Sequence, residues 1–167
     1  KKLIKNTDYT LKYSSGRKNP GNYKVKVTFK GNYTGSKTYS YKITPAKTTV
    51  KAKQSTTSIK LTWTPVTGAY GYRVYLYDSS SKKWTTLIKA TKETSYTFKS
   101  LTPGTTYRYA VRPYARDGGV IWAKYTDIYV TTKPATPSLS SAESGAKNSF
   151  TAKWNAVTGA TGYVVYY

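Results

Sequence analysis

Along most of the chain, apolar and polar side chains alternate with a period of two. Ile59, Leu61 and Trp63 alternate with Ser58, Lys60 and Thr62. Tyr72, Val74 and Leu76 alternate with Arg73, Tyr75 and Tyr77, and Tyr107, Tyr109 and Val111 alternate with Arg108, Ala110 and Arg112. Successive side chains of an extended strand point to opposite faces, so each set predicts one face turned inward and one toward water. Clusters of turn-forming residues separate the sets: Thr67-Gly68, Asp78-Ser79-Ser80-Ser81, Pro103-Gly104 and Asp117-Gly118-Gly119. Seven short strands, at a spacing of about 8–12 residues, fit into 46–132. No segment carries a helical period. The predicted fold class is all-β, built of tandem β-sandwiches.

An internal repeat supports that division. Residues 58–76 and 149–167 align at an offset of 91, with ten of nineteen positions identical. The matches include Trp63 with Trp154, Gly68 with Gly159, Gly71 with Gly162, Tyr72 with Tyr163 and Val74 with Val165. A repeat of this length is too long for a solenoid unit and suits a sandwich domain. The second copy stops after nineteen residues, which predicts a boundary inside a domain. TTKPATP at 131–137 reads as a short, semi-rigid proline-containing linker.

Composition narrows the chemistry. The 167 residues hold 28 Lys plus Arg against 6 Asp plus Glu, a net charge of +22, with no Cys, His or Met. Without Cys there is no disulfide framework, zinc ribbon or thiol nucleophile. Without His the commonest general base and metal ligand is missing. The absence of any Met leads us to expect a piece of a larger protein. No stretch approaches the ~18 apolar residues of a membrane span, so no membrane insertion is expected.

Residues 46–132 resemble a fibronectin type III domain. The resemblance rests on Trp63 in the second strand, on Gly71-Tyr72-x-Val74 in the third, and on Leu101, Pro103, Gly104 and Tyr107 in LTPGTTYRYAVRPY. It implies a seven-stranded, two-sheet Greek-key sandwich in which Trp63 is a core residue, as is Trp154 in its copy. Pro113, inside the predicted sixth strand, suggests a bulge or a strand end. Residues 1–44 look like the C-terminal half of an immunoglobulin-like repeat of Gram-positive surface proteins, on the strength of DYT, the Asn-Pro-Gly turn, GNYTG and a final alternating strand. Residues 134–167 look like the N-terminal half of a second fibronectin type III-like domain. Half a sandwich should not bury enough apolar surface to stand alone. Completion of one half domain by the other from a neighbouring molecule is a further expectation.

Catalysis is not expected. The six acids, Asp8, Asp78, Glu93, Asp117, Asp127 and Glu143, are scattered. Ser80 and Lys83 have Ser-x-x-Lys spacing but sit in a polar turn, and no acid cluster suits calcium. No cofactor or metal is expected. Arg116-Asp117-Gly118-Gly119 reads as a hairpin turn needing glycine at positive φ. Asn32-Tyr33-Thr34 has the glycosylation pattern.

The candidate ligand surface is the outward face of the third and sixth strands: Arg73, Tyr75 and Tyr77 beside Arg108 and Arg112. Arginine forks suit carboxylates and phosphates, and tyrosine rings stack on sugars. Trp84 and Trp122 are further candidates for sugar stacking. The plain alternative is a side-chain ladder that only stiffens the sheet. Lysines spread along exposed strands keep an array soluble and discourage edge-to-edge pairing. With Lys outnumbering Arg by 23 to 5 along the whole chain, no specific nucleic-acid partner is expected.

The expected function is a non-catalytic spacer in a secreted or cell-wall-attached bacterial surface protein, located at the cell surface or in the wall. Its first partners are the adjacent domains of its own chain. The alternatives are a module binding an anionic cell-wall polymer or acidic glycan, and an accessory domain of an extracellular glycan-degrading enzyme.

Overall fold

The computed structural model describes residues 2–145 and 147–166, so the last position of the second repeat copy lies outside it. Thirteen strands and no helix occur among the described residues. They form three separate groups along the chain. The first is an antiparallel sheet of β1 (Tyr9–Tyr13), β2 (Gly21–Phe29) and β3 (Ser36–Ile43), with β2 in the middle. On β2 the half-buried Tyr23, Val25, Val27 and Phe29 alternate with exposed Lys24, Lys26 and Thr28.

The second group is a two-sheet sandwich. One sheet runs β4 (Val50–Gln54), β5 (Ile59–Trp63), β8 (Ser95–Phe98). The other runs β7 (Lys83–Thr91), β6 (Gly71–Asp78), β9 (Thr106–Arg116), with both β10 (Val120–Trp122) and β11 (Thr126–Thr131) on the outer edge of β9. The predicted seventh strand is therefore broken into two pieces at residues 123–125. The core lies between the sheets: Ile59, Leu61, Trp63, Tyr72, Val74, Tyr109, Val111 and Val130 are buried. On β5 the alternation is complete, with Ile59, Leu61 and Trp63 buried and Lys60 and Thr62 exposed. Each such aliphatic side chain contributes about 1.5–3 kcal/mol on burial. Phe98 stacks on Tyr109 at 4.5 Å, and Trp63 leans on Tyr72 at 5.7 Å. The Trp63 Nε1–H has no acceptor among the described residues, so packing alone holds that ring.

The corner before β9 is tied back by Tyr107, whose hydroxyl accepts a hydrogen bond from the Thr102 amide at 2.9 Å. Gly104 in this corner has φ +63, a conformation that costs an ordinary side chain. Leu101 and Pro103 flank the turn, each half-buried.

Three expectations need correction. Pro113 is neither a bulge nor a strand end. β9 runs through it for eleven residues, with an unbroken register against β6 that pairs Tyr72 with Pro113. The Pro113 carbonyl accepts from the Ala123 amide. Its missing N–H would face that same edge, where the ladder is interrupted between β10 and β11. No ladder bond is lost, so proline is tolerated. Ala110, assigned to the water-facing side, is 2% exposed, because it lies at the floor of the aromatic-lined groove described below. Trp154 is not a core residue: it is 37% exposed and Tyr163 is 40% exposed.

The third group explains that last correction. β12 (Leu139–Ser144) and β13 (Phe150–Trp154) form a two-stranded hairpin sheet. No second sheet of the described residues faces it. Phe150 and Leu139 are about two-thirds exposed, as the faces of an isolated hairpin must be.

Candidate functional site

The outward face of the β7-β6-β9-β11 sheet gathers the residues that the strand pattern singles out. Register puts Arg73 directly opposite Arg112, Tyr75 opposite Ala110, and Tyr129 opposite Arg108. The aromatic rings do not stand free. Tyr77 meets Trp84 edge-on at 5.2 Å, and Trp84 meets Tyr125 at 5.7 Å. Tyr114 meets Trp122 at 5.2 Å and Tyr70 at 5.8 Å.

Guanidinium groups lie between these rings. Arg108 is about 5 Å from the ring centres of Tyr77, Trp84 and Tyr129. Arg73 and Arg112 both stack on Trp122, at 4.6 and 5.0 Å, and Arg116 lies 4.5 Å over Tyr70. A cation over an aromatic face gains roughly 0.5–2 kcal/mol according to its exposure.

The two ends of this layer differ in charge balance. Arg108 donates through Nε and Nη2 to Asp127 Oδ2, at 3.0 and 2.7 Å. Hydrogen bonding to Asp127, above all, pushes the Arg108 pKa above its ordinary value. This cation is already neutralised. Arg73 Nε donates to the Lys89 carbonyl and Arg112 Nε to the Ala123 carbonyl, each at 2.8 Å. Neither has a carboxylate within ion-pairing distance among the described residues. Two like charges on directly opposed strand positions repel, and here only neutral carbonyls and one indole face offset them. The positive charge is less compensated at this end than at Arg108.

Between the two ends lies a groove of about 150 Å³, lined by Tyr75, Trp84, Ala110, Arg112 and Tyr125. The strand pattern put Arg73, Tyr75, Tyr77, Arg108 and Arg112 on one face and left Trp84 and Trp122 as separate stacking candidates; the structure brings all seven into this layer. Sequence reasoning missed Asp127, Tyr125 and Tyr129. The signal was available in the last strand, where Asp127 and Tyr129 alternate with Ile128 and Val130. Only the β9–β11 register shows that Asp127 reaches Arg108.

Elsewhere the chain offers structure rather than chemistry. Asp78 accepts from the amides of Ser80 and Ser81 and from the Ser81 hydroxyl, which together hold its carboxyl below the usual range, with the Ser81 hydroxyl contributing most. This accounts for the Ser80–Lys83 spacing as a turn. Gly118 has φ +63 in the β9–β10 hairpin, the conformation that turn demands. Among the described residues no group of three or more acids could hold a metal ion, and no helix is long and apolar enough to cross a membrane.

Two packed antiparallel sheets, with strands β4-β5-β8 against β7-β6-β9-β10/β11 and a tyrosine-tied corner, define a β-sandwich module. The family model of the fibronectin type III domain matches residues 43–128, just over half of the chain, and the chain belongs to this family. Such domains are commonly structural or linker modules and typically non-catalytic. Among solved structures, the chain is similar to a mutated FN3tt domain (22% identity, 55% of this chain and 99% of that one, TM-score 0.47). It is similar to the FN5 domain of Drosophila Lar (22%, 53% and 97%, TM-score 0.41) and to domains A168–A170 of titin (21%, 78% and 51%, TM-score 0.42). The family assignment rests on the matched residues, not on these likenesses. No curated protein matches the chain.

Proposed function

We propose that this chain is a spacer segment of a secreted, wall-attached bacterial surface protein. In this reading, units of 1–44, 46–132 and 134–167 belong to a tandem array that holds a head domain away from the cell. The first unit is part of an immunoglobulin-like repeat. The observation that carries the reading is the internal use of the Arg/aromatic face. Its guanidinium groups stack on the domain's own rings and bond to its own carbonyls and to Asp127, which is what a stiffening ladder requires. The +22 charge then serves solubility.

A second reading has a specific observation behind it. Arg73 and Arg112 converge on Trp122 without a carboxylate, beside an open groove. That arrangement suits an anionic polymer or acidic glycan. The test is elution from an immobilised sulfated glycan in a salt gradient. On the spacer reading, Arg73→Ala/Arg112→Ala shifts the elution salt no more than Lys24→Ala/Lys26→Ala, because both remove two charges. A saturable affinity that falls tenfold or more for the arginine pair alone would overturn the spacer reading in favour of the binding one. Arg108→Ala is expected to have little effect in either case.

A further inference from the structure

The two junctions of the chain are built from the same parts. At the first, Gly68 in the β5–β6 turn (φ +74) presses on the β1–β2 turn. A Cβ at Gly68 would fall 2.3 Å from Pro20 Cδ. At the second, Gly159 (φ +77), the repeat mate of Gly68, presses on the corner between β8 and β9. A Cβ at Gly159 would fall 2.5 Å from Gly104 Cα, and one at Gly104 would fall 2.0 Å from the Thr158 carbonyl oxygen. Backbone there leaves no room for any side chain.

The surfaces that receive these glycines also match. Each is a Pro-Gly pair, Pro20-Gly21 or Pro103-Gly104, followed by a tyrosine that ties the turn back. Tyr23 donates its hydroxyl to the carbonyls of Gly16 and Asn19, at 2.7 and 2.8 Å, and Tyr107 accepts from the Thr102 amide. The presenting turn is Val-Thr-Gly-Ala in both copies, at 66–69 and 157–160, closed by Ala69 N to Val66 O and by Ala160 N to Val157 O. Positive φ alone would explain glycine anywhere in the chain. The close approach is a second, independent demand, made at both junctions. Gly31 and Gly35 have positive φ with nothing within 4 Å.

The first junction has one more tie. The Asn22 amide donates to Asp117 Oδ2 at 2.6 Å, and Asn22 Nδ2 donates to the Asp117 backbone oxygen at 2.8 Å. The β9–β10 hairpin thus reaches across to the first unit. At the second junction the connector itself is held, with Lys133 N bonded to Ser55 O and Gly104 N bonded to Lys133 O.

We propose that the Thr-Gly turn of one unit and the tyrosine-tied Pro-Gly corner of the preceding unit form a recurring joint that fixes the orientation of successive units, with Asp117 as its latch at the first junction. This rests on the spacer reading for its purpose and not for its geometry. Inter-domain contacts of modest size ordinarily leave domains free to reorient, so a fixed orientation is a definite claim.

The absence of Cys allows unique spin labels at introduced cysteines in the full chain. Lys26→Cys with Lys53→Cys reports the first junction, and Lys53→Cys with Thr151→Cys reports the second. Pulsed dipolar spectroscopy should give one narrow distance distribution for each pair. Gly68→Val and Asp117→Ala should broaden the first distribution only, with Asp117→Asn restoring it. Gly104→Val should broaden the second only. Gly31→Ala, strained equally in φ but facing open space, should change neither, and unchanged thermal midpoints show that the units stay folded. Broad distributions in the unsubstituted chain, or narrow ones that survive Gly68→Val and Gly104→Val, would refute the joint. Broad distances without saturable glycan binding remove the joint and leave the spacer reading intact. Narrow distances with saturable binding do the reverse.

Discussion

The nineteen-residue repeat occurs twice, and its copies share local geometry while differing in environment. Val66 N donates to Tyr72 Oη at 2.8 Å, and Val157 N donates to Tyr163 Oη at 2.7 Å. Trp63 and Tyr72 pack at 5.7 Å and 57°, and Trp154 and Tyr163 at 5.6 Å and 53°. Yet Trp63 is 4% exposed and Trp154 is 37% exposed. Gly71–Asp78 is a strand between β7 and β9, whereas the described residues of its counterpart, 162–166, form no strand. The turn and its tyrosine bond are therefore local properties of the sequence. Strand and burial come from neighbours, because a ladder needs a partner and an apolar face needs something to lie against.

Truncation of the tryptophans should separate the copies most. Trp63→Ala removes a fully enclosed ring and is expected to cost about 3–5 kcal/mol, a large share of the ~5–15 kcal/mol of a typical domain. Trp154→Ala should cost well under half of that, since water already reaches its ring. Urea unfolding followed by far-ultraviolet circular dichroism measures both. Equal losses would mean that the second copy is enclosed in solution, and the comparison would fail.

Alkaline pH should act on the sandwich that encloses the first copy, through β9. Tyr109 on β9 stacks on Phe98 and is 1% exposed. Burial first, and then the neighbouring Tyr107, pushes its pKa up to about 12 from 10.0. The folded pKa is the higher one, so this stabilisation is complete below pH 10 and disappears as pH rises toward 12. The loss is on the order of 2 kcal/mol. Denaturant midpoints of the sandwich between pH 9.5 and 12 should fall more steeply than those of Tyr109→Phe. Lysine deprotonation is common to both proteins and cancels in the difference. Parallel slopes would show that Tyr109 ionises freely.

The same contrast explains what was legible in the sequence. Period-two alternation located β5, β6 and β9, and chose the outward set Arg73, Tyr75, Arg108 and Arg112, because side-chain direction in a strand is fixed by parity. The tyrosine-tied corner was visible as Leu101, Pro103, Gly104 and Tyr107, since its bond spans only five residues. Other features needed partners far along the chain. Asp127 lies nineteen positions from Arg108, and the pair depends on the β9–β11 register. Ala110 is 2% exposed at the floor of a groove that it shares with Trp84, Tyr125 and Arg112, residues brought there by other strands and loops. The harmlessness of Pro113 depends on a gap in a strand ten residues later. Asp117 meets Asn22 across 95 positions, and only the placement of one unit against another reveals it. Likewise Trp154 read as core from its motif alone.

The smallest expected difference probes the shared local bond itself. Both tyrosine hydroxyls accept from a valine amide at nearly the same length, but the Tyr72 bond is partly buried and the Tyr163 bond is exposed. Tyr72→Phe leaves the Val66 amide without its acceptor and should cost about 1 kcal/mol. At Tyr163, water replaces the lost oxygen, and Tyr163→Phe should stay within about 0.5 kcal/mol. Amide hydrogen exchange gives a sharper reading than unfolding. Val66 should be protected up to the global stability of the sandwich and Val157 only slightly, despite equal donor–acceptor distances, because protection follows the cooperative unit around a bond rather than its length. Val157 protected as strongly as Val66 would mean that another strand pairs with the second copy in solution. The difference between the copies would then be one of assembly and not of sequence position.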